Sequence, residues 1–104
     1  MRFSPQQIVD HLDFIIDEMN AEVDSENPFE LARKLNKLSS LMGTGSKCCG
    51  NAEYYYQVDK RNPDYQELRT LADSVNKDLH YCVTSIQSVM NIAKLDYINS
   101  KNQN

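Results

Sequence analysis

Apolar residues recur at helical spacing in three stretches, and each stretch opens on a capping residue followed by proline. In the first, Ser4 is a cap, Pro5 suits the first helical position and Gln7 completes a capping box. Phe3 and Ile8 stand at the two ends of a hydrophobic staple. Ile8, Leu12, Ile15, Ile16, Met19 and Val23 then follow the helical period, which predicts a helix over about 5–23. A second start is Asn27-Pro28-Phe29-Glu30, followed by Leu31, Leu35, Leu38 and Met42. Gly43, Gly45 and Gly50 argue for a break here, at about 1 kcal/mol each relative to Ala. The spacing nevertheless continues in phase through Gly45, Cys49, Ala52 and Tyr56. The pattern favours one long helix over about 28–60, with room for a kink near Gly43–Ser46. The alternative is two helices with a loop at 43–47.

The third start is Asn62-Pro63-Asp64. A residue before proline avoids helical backbone, so the second helix ends by Arg61. Leu68, Ala72, Val75, Leu79, Cys82, Ile86, Val89 and Ala93 alternate by four and three with no Gly or Pro between them. This predicts a helix over about 63–98, with Asn99–Asn104 as a fraying polar tail. Two long helices joined by so short a turn form an antiparallel hairpin, each arm roughly 50 Å long. The first helix reaches only about 30 Å. The expected fold is therefore all-α in a single domain over residues 1–104: a long hairpin with a shorter N-terminal helix, as a three-helix, coiled-coil-like bundle. Leu71, Val83, Met90, Ile92 and Tyr97 widen the apolar face of the last helix beyond a two-helix seam. That surplus predicts self-association as a dimer or higher bundle. The seam expected to serve it comprises Leu31, Leu35, Leu38, Met42, Leu68, Val75, Leu79, Ile86 and Val89.

Composition narrows the chemistry. The 104 residues carry a formal charge of −4 and suit one small core. No apolar run approaches about 18 residues, so no membrane span or membrane partner is expected. No secretory signal is visible, and three cysteines, Cys48, Cys49 and Cys82, make an odd count. They read as reduced thiols in a cytoplasmic protein. Their spacing with His80 does not match paired zinc ligands, so no metal site is expected. Asp10, Asp13 and Asp17 read as a solvated helix face.

His11 neighbours Asp10, and His80 lies close to Asp78, but no nucleophile elbow accompanies either pair. Gly43-Thr44-Gly45-Ser46-Lys47 lacks the gap and the preceding strand of a phosphate loop. The expectation is a non-enzymatic protein without a cofactor. Charge is uneven. Residues 1–27 are net −6, residues 28–61 net +3 and residues 62–104 net −1. The basic middle also holds Tyr54, Tyr55 and Tyr56. Lys34, Lys37, Lys47, Tyr55, Lys60 and Arg61 are thus candidate contacts to single-stranded nucleic acid. The simpler reading pairs this helix with the acidic first one, since a pI near 5.0 lacks a basic footprint.

One likeness rests on particular words. The runs Leu35-Asn36-Lys37-Leu38-Ser39-Ser40-Leu41, Asn51-Ala52-Glu53-Tyr54-Tyr55-Tyr56 and Thr84-Ser85-Ile86-Gln87-Ser88-Val89 cover residues 31–98 in a pattern of low specificity. The pattern resembles small all-helical accessory proteins of tailed phages and prophages. The chain departs from it at Gly43, Gly45 and Gly50, where such proteins are richer in Ala and Leu. The resemblance implies an accessory role near replication or recombination and supplies no catalytic residues. The function expected is helix-mediated interaction and assembly. The alternative is an accessory factor binding single-stranded DNA.

Overall fold

Three helices make up the computed structural model, which describes residues 1–102: α1 (Pro5–Asn20), α2 (Pro28–Val58) and α3 (Pro63–Asn102). There is no strand among the described residues. Local chemistry sets the starts. Gln7 N–H donates to Ser4 Oγ at 3.1 Å, and Ser4 N–H donates to Gln7 Oε1 at 2.8 Å, closing the capping box. Asn27 Oδ1 accepts from the backbone N–H of Phe29 and Glu30. Asn62 Oδ1 accepts from Asp64 N–H.

The ends differ from the sequence expectation in three places. α1 stops at Asn20, short of Val23. Its last turn has no basic residue of its own, and Lys34 of α2 supplies the missing cation. Lys34 Nζ donates to Met19 O at 2.9 Å and also to Ala21 O, which closes the helix and turns the chain. α2 stops at Val58, and Asn62 N–H closes the turn on Asp59 O at 3.1 Å. α3 continues through Asn99–Asn102, where a frayed tail was expected. No Gly or Pro stops it there, and Lys101 in its last turn favours the helix C-terminus. Lys101 also lies 5.6 Å from the Tyr97 ring one turn earlier. Residues 103 and 104 of the expected tail lie outside the described residues.

α2 runs unbroken through its three glycines, so the loop alternative at 43–47 is not realised. None of the glycines has a positive φ. Gly43 and Gly50 are exposed, and a Cβ at either would meet nothing within 4 Å. They weaken the helix and serve no packing. Gly43→Ala and Gly50→Ala should therefore each stabilise the protein by about 0.5–1 kcal/mol in urea denaturation.

The helices alternate in direction. Phe3 meets Asn51 at one end of the α1–α2 pair, and Met19 meets Lys34 at the other. Cys49 meets Ala72, and Tyr55 packs on Tyr65, across the α2–α3 pair. The molecule measures 66 × 21 × 16 Å, its long axis close to the roughly 60 Å of a 40-residue helix.

Ile8, Leu12 and Ile15 of α1 close the core over Leu31, Leu35, Leu38, Cys48 and Ala52 of α2. Leu68, Ala72, Val75, Leu79, Ile86 and Met90 of α3 complete it. Of the predicted seam, Leu31, Leu35, Leu38, Leu68, Val75, Leu79 and Ile86 are thus spent inside the monomer, and Met42 is half-buried. Val89 is corrected: it is 38% exposed, and Met90 takes the core position. A straight helix drifts about 20° per heptad against a 3.5-residue repeat, so a strict four-three reading loses the core after three heptads.

Candidate interaction surface

Two regions of the surface depart from an ordinary solvated helix face. The first gathers basic and aromatic groups where the N-terminus crosses α2. Phe3 N–H donates to Asn51 Oδ1 at 2.6 Å, and Tyr55 O–H donates to Phe3 O at 2.8 Å. Asn51 Nδ2 donates to Lys47 O, which fixes the amide that receives Phe3. Lys47 Nζ stands 4.1 Å from the Phe3 ring centroid, whose other neighbour is the His11 ring at 4.3 Å. Arg2 covers Tyr54 at 3.3 Å, and Arg69 covers Tyr56 at 4.3 Å. Arg69 is also ion-paired with Glu53, whose carboxyl the Gln57 amide and Arg69 hold below the usual range.

The predicted nucleic-acid residues do not form one patch. Lys47 and Tyr55 belong to this cluster, and Lys60 and Arg61 are exposed at the turn beyond it. Lys37 and Lys34 lie further along α2, roughly 15 and 20 Å from Lys47 and roughly 35–40 Å from Lys60. Lys34 is the α1 cap, and Lys37 pairs with Glu18 at 3.4 Å. Tyr55 is half-buried, with its hydroxyl already engaged.

The histidines are placed apart: His11 packs on Phe3, and His80 is exposed on α3. Among the described residues no group of three or more His, Cys, Asp or Glu is placed to hold a metal. Cys48 is buried, and burial pushes its thiol up. Cys49 S–H donates to Ala72 O at 3.3 Å, and burial together with the Asp73 carboxylate pushes its pKa up to about 11. The ordinary value is 9.0, so Cys49 holds roughly 100-fold less thiolate at neutral pH. Alkylation by iodoacetamide at about pH 8 should accordingly be slow at Cys48 and Cys49 in the native protein and fast in urea, read by peptide mass spectrometry. A thiol held above its unfolded pKa contributes stability that is present below about pH 9 and lost as the pH rises toward 11.

The second region is where α3 outruns its partners. Pro28, the first residue of α2, lies abreast of Ala93–Tyr97. The turns beyond project past it. This arm is apolar on several sides at once: Ile92 is 60% exposed, Leu95 57%, Tyr97 63% and Ile98 52%. Tyr97 continues the core row to the first residues of α2, Pro28 and Phe29, where the packed pair ends. Ile92, Leu95 and Ile98 occupy the outer side. Beside them Phe29, 77% exposed, lines a cleft of about 390 Å³ with Pro28, Lys94, Tyr97 and Ile98. A second cleft on the other side of Tyr97 is lined by Glu26, Val89, Ile92 and Asp96 among others.

No protein-family model, curated protein or solved structure matches this chain. The arm exposes large apolar residues between polar ones, and no described residue beyond Met90 is buried. Ile92 and Tyr97 were visible in the sequence as a surplus over the seam. Leu95, Ile98 and Phe29 were missed, because their exposure depends on where α2 begins relative to α3. Among the described residues no helix is long and apolar enough to cross a membrane.

Proposed function

We propose that the chain is a non-enzymatic helical interaction protein that works by docking through the end of α3. The observation that supports this is the exposed set of Phe29, Ile92, Leu95, Tyr97 and Ile98, gathered at one end of the bundle. Clustered apolar exposure of this kind marks interaction sites, whereas scattered apolar residues do not. The tailed-phage setting rests on the resemblance of residues 31–98 alone.

Photo-crosslinking tests the reading. Ile98 is replaced by a photoreactive phenylalanine derivative, and the chain is irradiated in cells at native abundance. The reading expects a discrete protein adduct, whether of a second copy or of another chain, that is absent when the probe is at exposed Lys77. Equal, diffuse labelling at both positions overturns it.

One observation favours a second reading, single-stranded DNA binding. The Arg2–Tyr54, Lys47–Phe3 and Arg69–Tyr56 pairs put cations and rings together on one half of the bundle. That reading requires binding of labelled oligothymidine to fall steeply between about 50 and 200 mM salt. It also requires Arg2→Ala with Lys47→Ala to reduce the salt slope. Binding that is absent at low salt removes it.

A further inference from the structure

We infer that the α3 arm pairs antiparallel with the α3 arm of a second copy, its basic tip seated against the partner's acidic α1–α2 loop. The inference rests on the docking reading above and names its occupant.

Charge is the first argument. The chain between α1 and α2 carries Glu22, Asp24 and Glu26, all exposed, and no basic residue. Glu26 lies beside the base of the arm, lining a cleft with Ile92 and Asp96. The tip of the arm carries Lys101. Lys94 also stands at the base, but Glu26 and Asp96 outnumber it, so the base is net acidic and the tip basic. An antiparallel pair about a two-fold axis brings each tip to the other's base, and both contacts form at once. A parallel pair would set acid against acid and base against base.

Area is the second argument. Phe29, Ile92, Leu95, Tyr97 and Ile98 are between 52% and 77% exposed and together present on the order of 600 Å². A standard interface covers roughly 800 Å² per partner, so this set alone supplies about three quarters of one. Leu95 forms an apolar ridge next to the cleft that Phe29 of α2 lines with Tyr97 and Ile98 of the arm. A two-fold placed near Leu95 lets each ridge enter the other's cleft.

Light scattering and sedimentation from about 5 to about 500 µM decide it. The inference expects wild type to reach twice the 12.0 kDa chain mass within that range. Leu95→Glu and Ile98→Glu should each weaken the dimer at least tenfold without loss of circular-dichroism signal, since both side chains are exposed in the monomer. Lys101→Glu should weaken it severalfold, and adding Glu26→Lys should restore it. Wild type at monomer mass throughout overturns the second copy as occupant, while the crosslinked adduct decides the docking reading separately. A dimer indifferent to Leu95→Glu and Ile98→Glu overturns the arm as its interface. A dimer that loses both arm variants but ignores the charge swap overturns the antiparallel register.

Discussion

Ile86→Asp should leave the chain largely unfolded at room temperature. Ile86 is 8% exposed on the core row of α3, between Leu79 and Met90. Substitution removes about 2 kcal/mol of apolar burial. It also puts a carboxylate among buried apolar side chains, which costs several kcal/mol more whether the group ionises or is forced to stay protonated. A domain of this size holds roughly 5–15 kcal/mol in all. The expected result is loss of most helical signal at 222 nm and a urea transition shifted to near zero denaturant. Gln87→Asp introduces the same charge one residue on, at an exposed site, and should change stability by less than about 0.5 kcal/mol. Equal transitions for the two variants would contradict the placement of the core row.

Gly45→Val has the second largest expected effect, and its sign is opposite to that at the other glycines. Gly45 is buried where α2 crosses α3. A Cβ there would stand 2.7 Å from Asn76 Oδ1 and 3.4 Å from Leu79 Cδ2. Asn76 Oδ1 is itself buried without a hydrogen-bond partner, so moving it aside breaks no bond, and the larger cost falls on the Leu79 contact and on the room the Val methyl groups need. The two methyl groups of Val add to that crowding and should cost about 2–3 kcal/mol net of the gain in helix propensity. Relief should come from the other side. In an Asn76→Ala background, Gly45→Ala should become stabilising by up to about 1 kcal/mol, because the obstructing atom is gone. Urea denaturation of the four combinations measures this coupling. Simple additivity would contradict the close approach of the two helices at this point.

These two sites mark how far the sequence could be read. Starts were legible, because Ser4, Asn27 and Asn62 before prolines act through bonds to the next two or three residues. The core row of α3 was legible as far as Ile86. Beyond it the small mismatch between heptad and helix decides, and Met90 replaces Val89. The continuity of α2 could be read only as a preference. Three glycines weaken a helix by propensity, and nothing local shows that tertiary packing outweighs them. The stop of α1 at Asn20 was not legible at all, since Lys34 is 14 residues downstream and its role as a cap exists only once α1 folds back. The docking arm was half legible for the same reason. Its apolar residues stand in the sequence, but their exposure follows from the offset between Pro28 and Asn102, which only the packed bundle sets.

Hydrogen exchange of the last turns of α3, measured as a function of protein concentration, tests the central claim most directly. In a lone chain the amides beyond Ala93 belong to a helix end with few packed neighbours, and they should exchange nearly as fast as unstructured peptide at low concentration. If the arm is a docking element for a second copy, their protection should rise by at least tenfold between about 5 and about 500 µM, while amides around Leu79 stay unchanged. Fast exchange at every concentration, with the core protected throughout, would contradict the second copy as the arm's occupant.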